Sequence, residues 1–93
     1  MNDIRREVII ACNLFEITHD ELISSSRIME RTYARQLLAH YYMTCEKMHP
    51  GQVAKIINRD RITVLHSCKV VDQLYLCDDY FADKFNKFYD RLI

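Results

Sequence analysis

Apolar side chains return along most of this chain at intervals of three and four, the period of helices that turn one face to a core. Ile4, Val8, Ala11, Cys12 and Phe15 form the first such stripe and predict a helix over 3–15, with Asn2 as its N-cap. Thr18 and Glu21 then stand at capping-box spacing and open a short second helix, with Ile17 placed to staple against Leu22. Ser24, Ser25 and Ser26 compete with helical hydrogen bonding, which predicts a loop carrying Arg27.

The longest stripe, Ala34, Leu37, Leu38, Tyr41 and Cys45, predicts a helix over about 29–45. Pro50 suits the first position of the next helix, which turns Val53, Ile56 and Ile57 inward and ends at Asn58, a residue tolerant of left-handed backbone. Asp60 is placed to cap a following helix, with Val64, Cys68, Val71 and Tyr75 as its buried stripe and Leu65 beside it. Asp78 and Asp79 supply a stop and a new cap before a helix over 80–92 that carries Phe81, Phe85, Phe88 and Leu92 on one face. The pattern predicts one all-α domain over 1–93, with five or six helices and a helix-turn-helix at about 50–71.

Composition sharpens this picture. One glycine and one proline among 93 residues argue against sheets joined by tight turns, and a lone Gly51 excludes both glycine-rich phosphate-binding fingerprints. No nucleotide, cofactor or membrane partner is therefore expected, and the N-terminal Asp3, Arg5, Arg6 and Glu7 offer no secretory apolar run, so the expected compartment is cytoplasmic. Cys12, Cys45, Cys68 and Cys77 lack metal-ligand spacing and fall in or beside apolar stripes, where reduced core thiols are expected. His66 and Ser67 are chain neighbours, which makes no catalytic pair, and no enzyme is expected.

Charge is distributed unevenly although its formal sum is zero. Over 24–71 the chain carries eight basic side chains against three acidic ones, and the ends hold the compensating acidic excess. Local field attracts phosphate, so a basic middle segment fits a DNA-facing side. Arg27, Arg31 and Arg35 recur every four residues, and Arg61, Ile62, Thr63, His66, Ser67 and Lys69 are predicted to face outward or lie on the margin of the helix after Asp60.

The stretch Arg59-Asp60-Arg61-Ile62-Thr63-Val64-Leu65-His66-Ser67 resembles the signature of the C-terminal DNA-binding domain of the bacterial replication initiator DnaA, a Trp-repressor-like helix-turn-helix. The family pattern is approximately Arg-Asp-His-Thr-Thr-Val-Leu-His-Ala, and six of nine positions agree. Upstream, Arg27 and Ala34-Arg35-Gln36 are similar to the family's basic loop and following helix. The resemblance implies a minor-groove role for Arg27, major-groove roles for Asp60 and Thr63, and phosphate contacts from Arg35, Gln36 and His66. Arg31, Lys55, Arg59, Ser67 and Lys69 are expected to add further phosphate contacts.

Each of these roles has a chemical basis: a carboxylate accepts from cytosine N4, a threonine methyl packs on thymine, and a guanidinium suits a narrow A·T-rich minor groove. Arg61 and Ile62 replace the family's His-Thr, and Asn58 stands in a shorter turn where the family has glycine. Arg61 can grip guanine or hold phosphate, whereas Ile62 offers only apolar contact to a thymine methyl. The expectation is sequence-specific duplex DNA binding linked to replication initiation or its regulation, nucleoid-associated in a bacterium, with a separate ATPase module or other protein as a further partner. The competing expectation is a protein-interaction or transcription-regulatory helical module with altered DNA affinity.

Overall fold

Six helices form where the apolar period predicts them, and the computed structural model, which describes residues 4–93, places their ends at identifiable caps. They are α1 Arg6–Phe15, α2 His19–Ile23, α3 Met29–Thr44, α4 Pro50–Ile57, α5 Arg61–Cys77 and α6 Asp79–Leu92. The described residues contain no strand.

The start of α1 differs from expectation. Asn2 and Asp3 lie outside the described residues, while Ile4 is exposed and precedes the helix, so it does not join the core stripe. Arg5 occupies the N-cap in extended backbone without a side-chain cap, and Leu14 is buried alongside Val8, Ala11, Cys12 and Phe15. The α2 capping box does form. Thr18 N donates to Glu21 Oε1 at 2.9 Å, and Glu21 N donates to Thr18 Oγ1 at 3.1 Å.

Helix α3 is the hub, packing against α1, α2, α4 and α5, while α6 closes the other side on α1 and α5. Its interior positions Ala34, Leu37, Leu38 and Ala39 are fully buried, and small Ala34 and Ala39 let neighbouring helices approach closely. Tyr42 is buried with its hydroxyl donating to Glu7 Oε1 at 3.0 Å, and Tyr33 donates to Asp78 Oδ2 at the α6 cap. His40 lies half-buried against the Phe85 ring. Tyr42 thus belongs to the core, while Tyr33 and His40 lie half-buried at its margin.

Cys45 sits at the C-cap of α3 and is exposed, as is Cys77, so two of the four thiols depart from the expected core placement. The α5 stripe is also shifted. Val64 and Val71 are buried, Cys68 is half-buried, Tyr75 is exposed, and Ser67 takes an interior place. Residues 64, 67 and 71 follow the true three-then-four step toward α3, and a small polar residue at the middle position is invisible to a hydrophobicity count. On α6 the expected aromatic face is present, with Phe81 and Phe88 fully buried.

No helix among the described residues is long and apolar enough to cross a membrane. Since Leu37 is fully enclosed at the hub, Leu37→Ala is expected to lower unfolding free energy by about 2–5 kcal/mol in urea titration, whereas truncating exposed Ile4 should change it little.

Candidate nucleic-acid interface

The site is built around a three-residue turn. Asn58 ends α4 at φ 55° and ψ 53°, and Arg59 N donates back to Ala54 O at 2.9 Å, which satisfies a terminal carbonyl of the helix. Asp60 follows in extended backbone and accepts from Thr63 N at 2.7 Å, starting α5. That amide bond is the main reason its carboxyl is held below the usual aspartate range, with the Thr63 hydroxyl adding to it. Helix α4 itself starts at Pro50, where the His49 Nδ1 accepts from Gly51 N at 3.0 Å.

The serine loop is fastened to this turn. Asn58 Nδ2 donates to Ile23 O at 2.8 Å, and Arg59 Nη2 donates to Ser24 O at 2.7 Å. From the other side, the Arg35 Nε donates to Leu22 O, and its Nη2 donates to Ser24 O at 2.9 Å. Two guanidinium groups thus share one carbonyl oxygen. Arg35 is only 5% exposed, and burial, with Arg59 and Arg31 nearby, lowers its pKa to about 10.

This fastening creates an open groove of about 620 Å³ between the loop, α3 and the N-terminal half of α5. Of the expected base-contacting residues, Arg27, Asp60 and Thr63 line it. Gln36, Arg59 and His66 line it as well, and the Gln36 Oε1 has no hydrogen-bond partner among the described residues. Ser25 and Thr32 join the lining without having been expected; both follow from position, beside Arg27 in the loop and one turn before Gln36 on α3.

Several expected residues are placed differently. Arg35 reaches the groove wall, but its Nε and Nη2 are committed to backbone carbonyls, so it is part of the scaffold and not a free phosphate contact. Ser67 borders the groove at only 3% exposure, set deep by its place on the α3-facing side of α5. The row of Arg27, Arg31 and Arg35 does not form along one helix side, because α3 begins at Met29 and leaves Arg27 in the loop. Arg31 instead pairs with Glu21 beside a separate depression that also contains Glu30 and Tyr80.

Arg61 and Ile62 lie outside the groove. The Arg61 Nε stands 3.4 Å from where a Cβ on Gly51 would project, so this side chain lies against the first turn of α4. Ile62 is 79% exposed. Lys55 and Lys69 are exposed on α4 and α5 without lining the groove; Lys69 is three residues beyond His66 and shares its side of the helix.

Comparison of the chain with protein-family models and with characterised proteins returns no match to either.

Two outcomes test the scaffold. Replacing Arg35 by methionine should destabilise the chain by about 1–3 kcal/mol for each buried carbonyl left unpaired, read by denaturant titration. Acid should act through Asp60 and Glu21, both held below their ordinary values of 3.8 and 4.5, chiefly by backbone amides of Thr63 and Thr18. Their folded-state pKa values are depressed, so their contribution is present above those ordinary values and is lost as pH falls through the lowered ones. The melting temperature should therefore drop progressively below about pH 4, with a smaller acid-induced drop in Asp60→Asn.

Proposed function

We propose that this domain binds double-stranded DNA in a sequence-specific manner, with α4 and α5 acting as a helix-turn-helix. In this reading α5 enters the major groove by its N-terminal turns, and the Arg27 loop reaches the adjacent minor groove. The observation that carries it is the single groove that gathers Arg27, Gln36, Asp60, Thr63 and His66 from three separate elements, with the loop fastened to the turn that starts α5. Phosphate recognition needs donors held at fixed separation, and base reading needs side chains on a rigid element at a helix start.

The resemblance to the DnaA C-terminal domain supports the same assignment and suggests a role in replication initiation or its control, beside an ATPase module on another chain or segment. Asp60 and Thr63 offer contacts to cytosine and thymine, and Arg27 suits a narrow minor groove. Ile62, projecting from the first turn of α5, fits a thymine methyl. Arg61, held against the first turn of α4, fits a phosphate of the flanking strand better than a guanine edge. With Arg35 committed to the interior and Arg59 donating to Asn58 O and Ser24 O, the non-specific attraction falls to Lys55 and Lys69, and to Arg27 from the loop.

A second reading has one observation in its favour: Ile62 and Leu65, both large and apolar, are exposed near the groove, as they would be on a protein-docking surface. The two readings separate in a duplex-binding titration. A selection from a random duplex library should yield a defined target. On that target Arg27→Ala and Thr63→Ala should each weaken binding by about 1–3 kcal/mol while leaving a scrambled duplex little affected. Lys69→Ala should weaken both duplexes alike and reduce the salt slope by about one. Equal losses on both duplexes for every variant would remove the base-reading roles, and no duplex binding at low salt would favour the protein-docking surface.

A further inference from the structure

Helix α5 carries a second pattern that the groove does not use. Ile62, Leu65, Lys69, Asp72 and Leu76 follow each other at steps of three, four, three and four, the spacing of a seam that faces another helix. All five are exposed. Leu76 is 83% and Leu65 47% accessible, large values for leucines on a helix whose opposite face is packed into the core. Val71, Tyr75 and Phe85 border an apolar groove beside Leu76, which extends the patch onto α6.

The order of charge along the seam argues for what covers it. Lys69 makes no ion pair among the described residues, and Asp72 has only a 3.6 Å approach from the His40 imidazole, its own side chain being 85% exposed. When a second copy of α5 is laid antiparallel about a twofold axis midway between these two residues, Lys69 of one copy falls opposite Asp72 of the other, twice. The same register sets Leu65 opposite Leu76, also twice. A parallel register would place like charges together. The pattern is thus self-complementary only in the isologous, antiparallel sense that a twofold dimer requires.

The geometry points to a homodimer in which the α5 seams of two copies pack antiparallel through Leu65–Leu76 and Lys69–Asp72 pairs, withholding α5 from other partners. A helix of this length spans about 25 Å. Such a contact falls in the small, transient class below about 1,200 Å², so the dimer forms weakly and dissociates readily. Its regulatory consequence rests on the DNA reading above: the seam includes Ile62 and Lys69, which that reading assigns to a thymine methyl and to phosphate, so duplex and second copy compete for these two side chains and exclude each other. Duplex then draws the equilibrium toward monomer by mass action.

Sedimentation equilibrium of the full chain without DNA tests the dimer independently of that reading. A concentration-dependent monomer–dimer equilibrium is expected, abolished by Leu76→Ser, a surface substitution whose folding is verified by circular dichroism. Lys69→Asp should weaken the dimer by about tenfold or more by setting like charges opposite each other, and the exchange Lys69→Asp with Asp72→Lys should restore it. A chain that stays monomeric at all concentrations overturns the proposal, as does a dimer indifferent to Leu76→Ser or not rescued by the charge exchange. Adding random duplex at low salt should dissolve the wild-type dimer. A chain that binds duplex while remaining dimeric overturns the mutual exclusion. A chain that dimerises but binds no duplex leaves the dimer standing and removes the DNA reading instead.

Discussion

The buried Arg35 guanidinium is the constraint on which the arrangement of the candidate site depends. It lies at the junction of α2, α3 and the serine loop, donating to the carbonyls of Leu22 and Ser24. A charge so little exposed persists only when its donors find acceptors, and a loop leaving a five-residue helix supplies carbonyls that no helix would otherwise satisfy. Arg59 reaches the same Ser24 carbonyl from the α4–α5 turn. The loop carrying Arg27 is thereby held between the central helix and the start of α5, although local propensity alone would leave three serines and an arginine without fixed structure.

Helix positions were legible because they depend on local pattern. The Thr18 to Glu21 capping box, Pro50 at a first turn, Asn58 in left-handed backbone and the Asp60 cap all act within a few residues of chain, and each appears in the structure as its spacing implies. Burial at helix margins was less legible. Tyr75 and Cys45 continue their stripes in sequence but are only edged by α6, through Phe85 and Asn86 and through Tyr89, and stay exposed, whereas Ser67 is enclosed. Which helix passes over which turn is a tertiary fact that a one-dimensional period does not contain.

The candidate site divides in the same way. Arg27, Asp60, Thr63, Gln36 and His66 were recognisable from spacing and resemblance, and they converge on one groove. Arg35 was not recognisable as an anchor, since an arginine four residues after another on a helix looks like part of an outward row. Its inward turn depends on open carbonyls more than ten residues earlier in the chain. Thr32 and Ser25 carry too little chemistry of their own to be singled out before the groove is seen. Arg61 lies against Gly51 because the only glycine of the chain leaves room there for its side chain.

The Asn58 to Asp60 turn separates two kinds of change. Residues on its inner side are tied to the loop, the caps and the central helix, so altering them alters the fold. Arg61 and Ile62, immediately beyond it, touch neither the fastening bonds nor the core, and their replacement carries little folding penalty. The side-chain chemistry presented at these two positions can therefore change by single substitutions while the frame that holds the groove stays constant.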